Sequence, residues 1–364
     1  MDFKKYNSIE NADRTKIINY ITEQGLSGGE WSVTEKVHGS NFSFYITSSE
    51  IKVAKRTSFL GVGQKFFNFE EVLDDHLDRM KLLFVLVSEF LNPKEADLSG
   101  DDLEIILYGE LFGGTYPHED VEAIPGSTKV QKGVFYSPLN NFYAFDMKVN
   151  GRFINTDIFE EIMEEVGIFY AKTLFKGTFE EALQYPNEFQ TTLPKRLGLP
   201  EIENNVCEGV VIKPTSVKFF GSGDRVILKN KNEKFTEVSH RKDKGVKVSE
   251  NYDLSEEENF IYVIALAYVT ESRLRNVISK IGEVTDKMFG KLQGMFMKDV
   301  ITDFRKDFSH STKFLCLDDS FEILCVEKLN TIEKDRVKVI QRKLNYDVKE
   351  LVRKNFLDII DGTF

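Results

Sequence analysis

The stretch Val33–Ile46, VTEKVHGSNFSFYI, decides how the N-terminal part of this chain is read. Its ends alternate as strands do, yet its middle carries Glu35, Lys36, His38, Ser40 and Asn41. As one strand, it would send successive side chains to opposite faces. Lys36 and His38 would then share one face, and Glu35 and Val37 the other. Gly39 leaves the backbone free to turn or to admit a ligand closely. A lysine can be a nucleophile only as the free amine, a form that nearby cations or desolvation favour.

Such cations occur in VILKNKN, where Lys229 and Lys231 lie two apart and so share a strand face. Two like charges held side by side repel, and a polyanion such as a triphosphate relieves that repulsion. Upstream, CEGVVIKP puts Glu208 at the start of an apolar strand. A carboxylate beside phosphates suits Mg²⁺, which takes one or two acidic ligands and completes its shell from the substrate. LYGELFGG puts Glu110 at a strand end before a Gly-Gly turn, and FYAFDMKV offers Phe145, a flat ring able to stack on a base. Taken singly, each of these residues reads as a solvated charge, a turn carboxylate or a core ring.

The totals set the frame. A chain of 364 residues suggests about two domains, and its apolar fraction of 41% suffices for a sizeable core. No apolar run approaches the ~20 residues of a membrane span, and MDFKKYNSIENADRTK has no apolar signal region. Cys207, Cys316 and Cys325 lack metal-type spacing and fit a reduced cytoplasmic protein, phage- or virus-encoded proteins included. The net charge of −11 argues against indiscriminate coating of nucleic acid. Between Val211 and Lys247, however, ten basic residues face four acidic ones, a local basic surplus in an acidic chain.

The pattern changes near Lys247. Before it, short runs rich in β-branched and aromatic residues predict strands, with helices near Val72–Leu91 and Phe159–Val166. After it, Ser255–Val284 has helical periodicity, opened by Ser255 and Glu258 at capping-box spacing. Segments near Asp286–Asp307 and Asn330–Ile360 also read as helices. The division is placed at 1–245 and 246–364, within the charged linker SHRKDKGVKVSENYD.

Six motifs occur in order: EKVHGSN, AKRTSFLG, YGELFGG, FYAFDMKV, EGVVIKP and ILKNKNEKF. Together they resemble the covalent nucleotidyltransferase motifs of the RNA ligase 2 family, which includes phage-type and RNA-editing ligases. The resemblance covers roughly the first 245 residues, and Arg273–Val300 resembles that family's C-terminal domain, with Arg273, Arg275, Lys280, Lys287 and Lys291 read as surface-type basic residues. It implies an α+β protein: an antiparallel-sheet nucleotidyltransferase (adenylylation) domain followed by an all-helical C-terminal domain. It implies an ATP-dependent RNA ligase in RNA repair, with ATP as substrate, AMP carried covalently on Lys36, and Mg²⁺ or Mn²⁺. His38 would assist near the leaving pyrophosphate, and Glu35 would lie at the adenine edge. Asn41 and Arg56 would engage the nucleotide or the RNA ends. Glu110 would hold the ribose, Phe145 would stack on adenine, Glu208 would organise the metal, and Lys229 and Lys231 would contact the α-phosphate. The expected partner is RNA with 3′-hydroxyl and 5′-phosphate ends, at nicks in a duplex, acted on by a monomer with no membrane. The competing readings are a DNA ligase, an RNA-capping guanylyltransferase and a non-catalytic module that binds nucleic-acid ends.

Overall fold

The computed structural model describes residues 1–90, 103–235, 254–309 and 334–364. Two compact units divide it: one of Met1–Ala12 with Ile21–Lys234, the other of Asp13–Tyr20 with Phe235–Phe364. The expected linker and boundary lie outside the described residues.

The first unit is built on two sheets. A five-stranded sheet has the order β1 (Glu10–Asn11), β11 (Leu228–Lys231), β10 (Gly209–Pro214), β2 (Trp31–Glu35) and β9 (Thr173–Gly177). A six-stranded sheet has the order β5 (Ser58–Phe59), β4 (Ile51–Lys55), β3 (Ser40–Ile46), β6 (Ile105–Thr115), β7 (Ser137–Val149) and β8 (Arg152–Phe153). Every pairing is antiparallel except β1 with β11.

Val33–Ile46 is therefore not one strand. It leaves the five-stranded sheet at Glu35, crosses at residues 36–39, and enters the six-stranded sheet at Ser40. The apolar parity records the break. Trp31 and Val33 are buried at odd positions, whereas Phe42, Phe44 and Ile46 are buried at even ones. A regular strand cannot change parity without an irregularity.

One face of the six-stranded sheet makes the main core. Phe42, Phe44, Leu107 and Phe142 pack with Met80, Leu83 and Val87 of α2 (Phe69–Phe90) and Phe159 and Met163 of α3 (Thr156–Val166). The other face carries Tyr45, Ile106 and Tyr108, with Tyr6 and Phe145 beside them. Bonds from Tyr143 and Lys213 join that second face to the five-stranded sheet. Tyr143 donates its hydroxyl to the Glu35 carbonyl at 3.4 Å, and Lys213 Nζ donates to the Phe145 carbonyl at 3.1 Å.

The Gly-Gly turn expected after Glu110 is instead part of β6. Gly113 and Gly114 take φ of +89° and +88°, and a Cβ on them would stand 2.1 and 2.0 Å from the carbonyls of Leu139 and Thr128. The strand bends there, with a register shift, and runs on to Thr115.

Among the described residues from 254 onward, every regular element is helical. Ser255 caps α6 (Glu256–Leu266) with the expected capping box to Glu258. The periodic run then divides into α6 and α7 (Glu271–Ile281), the second capped by Thr270. Leu274, Val277 and Ile281 of α7 pack with Leu292, Phe296 and Val300 of α8 (Phe289–Ser309) and Leu344, Val348 and Val352 of α9 (Lys334–Ile360). The α+β class and the helical C-terminal region agree with expectation. One feature does not: Arg273, expected on the surface, is 1% exposed and pairs with Asp299 at 2.8 Å and Asp303 at 2.7 Å. It lies one residue before Leu274 and four before Val277, on the buried stripe of α7, so burial required carboxylate partners.

Candidate active site

The crossover at residues 36–39 is a short connection, and its backbone is committed at both ends. Lys36 N–H donates to the Gly209 carbonyl at 2.9 Å. His38 N–H donates to the Tyr136 hydroxyl at 3.0 Å. Gly39 sits where a Cβ would meet the Leu111 carbonyl at 2.3 Å, so only glycine lets the crossover press on β6.

This placement brings Lys36 onto Glu208. Lys36 Nζ lies 2.7 Å from Glu208 Oε2, and Lys231 Nζ lies 2.9 Å from Oε1. His38 Nδ1 stands 3.7 Å from Oε2. The carboxylate is 1% exposed, while the two lysine side chains are 19% and 10% exposed. Burial pushes the Glu208 carboxyl up, but Lys231, Lys36 and His38 outweigh it and hold it at about 2. One buried carboxylate thus gathers two ammonium groups that both keep a route to the exterior.

Glu110 of β6 lies beside the same cluster, coupled electrostatically to Lys36, Glu208, Arg56 and Lys231. Burial pushes its carboxyl up to about 8, against the pull of Lys36 and Arg56. Asn41 of β3 is directly opposite Glu110 in the strand register, and its amide donates to the Gly109 carbonyl at 3.4 Å. Arg56 is lowered from its ordinary value by burial, with Glu110 opposing.

The remaining expected residues are placed less directly. Lys229 shares the strand face of Lys231 and pairs in register with Val211. Phe145 is half-buried, with its ring centre 5.0 Å from that of Tyr6. Lys213 is buried behind it and lowered by that burial to about 8. Glu35 is 2% exposed, and its carboxylate accepts bonds from Thr191 Oγ1, Thr192 N and Thr192 Oγ1. Burial raises it and those donors oppose the rise. Thr191, Thr192 and Tyr136 belong to this site although no motif marks them, and Tyr143 joins them from within FYAFDMKV.

Among the described residues, no group of three or more His, Cys, Asp or Glu side chains is arranged to hold a metal ion. Glu208 and Glu110 are the two carboxylates at the cluster. Such a donor set fits Mg²⁺ or Mn²⁺ when phosphate oxygens and water complete the shell.

The cluster resides in the region matched by the RNA ligase family, residues 29–231, more than half of the chain. The chain belongs to the RNA ligase family. Residues 252–350 match the T4 RNA ligase 2 C-terminal family, which places the chain in the RNA ligase 2 branch. It is similar to the mitochondrial RNA-editing ligase 2 of Trypanosoma brucei brucei, at 29% identity over 84% of this chain and 83% of that protein. The mitochondrial RNA-editing ligase 1 of the same organism is 28% identical over 84% of this chain and 76% of its own length. A solved Naegleria gruberi RNA ligase variant with ATP and Mn is 17% identical, with a TM-score of 0.40, over 65% of this chain and 58% of that one. The chain spans less than two thirds of the length of that solved protein.

Proposed function

We propose that this chain is an ATP-dependent RNA ligase that joins 3′-hydroxyl and 5′-phosphate ends at nicks in a duplex. The observation that carries this reading is the convergence of Lys36, Lys231 and His38 on the buried Glu208 at the sheet crossover. Lys36, paired with Glu208, is a held ammonium and not yet a nucleophile. When a triphosphate engages Lys231, the Lys36 ammonium passes a proton to solvent, and the free amine attacks the α-phosphorus. The N–P bond forms, and the P–O bond to pyrophosphate breaks. A 5′-phosphate oxygen of RNA then displaces the lysine from that phosphorus, and a 3′-hydroxyl displaces AMP to seal the strand. Each step moves charge among phosphate oxygens, so fixed cations do much of the work.

In this reading Lys229 and Lys231 bear on the α-phosphate, and His38 lies near the departing pyrophosphate. Glu110 meets the ribose, Phe145 meets adenine, Glu35 borders the base, and Asn41 and Arg56 serve the nucleotide or the RNA ends. Glu208 would hold a divalent cation, which when bound neutralises phosphate charge. Residues 1–245 carry the adenylyl chemistry as a monomer, and 246–364 help to engage RNA. Arg273 has no part in that engagement, since its charge is already answered by Asp299 and Asp303. A cytoplasmic setting suits the cysteine usage. No helix among the described residues is long and apolar enough to cross a membrane.

A panel of nicked duplexes differing in strand chemistry, each supplied with ATP or GTP, tests the reading. Sealing of RNA nicks with ATP is the expected result. Sealing of all-DNA nicks alone would make the chain a DNA ligase, and covalent label from GTP alone would make it a capping enzyme. Folded protein with no covalent label from either nucleotide would leave the end-binding module.

A further inference from the structure

The motif residues do not fix the crossover unaided. On the side before Lys36, the Glu35 carboxylate is enclosed by three donors, all from the Thr191–Thr192 pair. The Glu35 carbonyl also receives the Tyr143 hydroxyl. On the side after Lys36, the His38 amide rests on the hydroxyl of Tyr136, a fully buried side chain. Thr191 and Tyr136 come from distant parts of the chain, and neither lies in a matched motif.

A lysine side chain has four rotatable bonds, so its amine can be aimed only if its backbone is held. A misplacement of ~1 Å can cost roughly 10²-fold in rate. Simple satisfaction of buried polar groups would explain one such contact. It does not explain why the two residues flanking Lys36 by one and two positions are each anchored by hydroxyls, while Lys36 itself keeps a 19% exposed side chain.

We infer that Thr191, Thr192 and Tyr136 are positioning residues for adenylyl transfer, anchoring Glu35 and His38 so that the Lys36 amine faces the α-phosphate. The Glu35 carboxylate is then the anchor that holds the residue at the border of the base. This rests on the proposed function, and the test separates the two.

The full chain is tested in two steps: transfer of α-labelled AMP from ATP to the protein, and sealing of RNA that already carries a 5′-adenylyl group. The second step does not need attack by Lys36. The Thr191→Val, Thr192→Val double variant and Tyr136→Phe should each slow the first step by roughly 10- to 100-fold at saturating ATP. Apparent ATP affinity should stay within about threefold, and sealing of pre-adenylylated RNA should be spared. Thr191→Ser with Thr192→Ser keeps the hydroxyls and should recover most of the rate. If the double variant folds poorly, Tyr136→Phe carries the test, because it removes one oxygen and no volume. First-step rates equal to wild type in both, or equal loss of both steps, would overturn the inference. A wild-type chain that takes no label from ATP would instead overturn the proposed function.

Discussion

Around Glu208, two ammonium groups and a histidine meet one carboxylate. Around Arg273, two carboxylates meet a guanidinium and the ammonium of Lys280, which lies 2.7 Å from Asp299. Both clusters pair cationic side chains with carboxylates and bury their central group. The helical cluster is neutral in sum, two cations against two carboxylates. The crossover cluster keeps a surplus of positive charge beside a second carboxylate, Glu110, which burial holds largely protonated at neutral pH. Charge balance, not burial or charge alone, separates a packing device from a place that can receive phosphate.

The sharpest way to break this comparison is Lys36→Met. It should reduce transfer of labelled AMP to the protein by about 10³-fold or more, as removal of a covalent nucleophile does. A folded variant that labels normally would place the chemistry elsewhere. Lys231→Met leaves Glu208 paired with Lys36, so the fold should persist while adenylylation falls by roughly 10²-fold. The same substitution at Lys229 asks whether that lysine belongs to the phosphate group or is a solvated charge, and an unchanged rate would give the second answer.

Arg273→Met should do the reverse. It leaves Asp299 with Lys280 and takes the guanidinium from Asp303, and should destabilise the chain by about 2–4 kcal/mol in chemical denaturation. That is less than a fully buried pair would lose, because Asp303 is 36% exposed. Adenylylation by the folded protein should be unchanged. A rate loss as large as that of Lys231→Met would erase the distinction between the two clusters.

The smallest effect concerns Glu110. Its folded value of about 8 lies above the ordinary carboxylate range, so the folded state binds the extra proton. The stability that this supplies is complete at acidic pH and is lost as pH rises through about 8. Thermal melts of wild type and Glu110→Gln at pH 6, 7, 8 and 9 should diverge, wild type losing ground by on the order of a few °C as pH rises. Parallel melting curves would mean that Glu110 is ionised throughout.

Much of this was legible in the sequence where type and order sufficed. The strand-rich first part, the helical C-terminal part and the Ser255–Glu258 cap each follow from local periodicity or spacing. Lys36, Glu208 and Lys231 were legible because six short motifs occur in a fixed order. Other features depend on tertiary contact. Alternation alone made Val33–Ile46 look like one strand, although the shift of apolar parity from Val33 to Phe42 already signalled a break. Arg273 was read by its charge, when its phase relative to Leu274 and Val277 carried the information. Gly113 and Gly114 read as a turn because sequence does not show the carbonyls of Leu139 and Thr128 pressing on them. Thr191 and Tyr136 had no local signal, since their role is set by what Glu35 and His38 need across the fold.

The central claim is that the lysine held at the sheet crossover accepts AMP. The most direct measurement incubates the full-length protein with a divalent cation and ATP labelled on its α-phosphate, then digests it and maps the adduct by mass spectrometry. The expected result is an acid-labile adenylyl group on the peptide containing Lys36, with none from ATP labelled only on its γ-phosphate. No covalent adduct on active, folded protein, or an adduct on another residue such as Lys229 or Lys231, would contradict it.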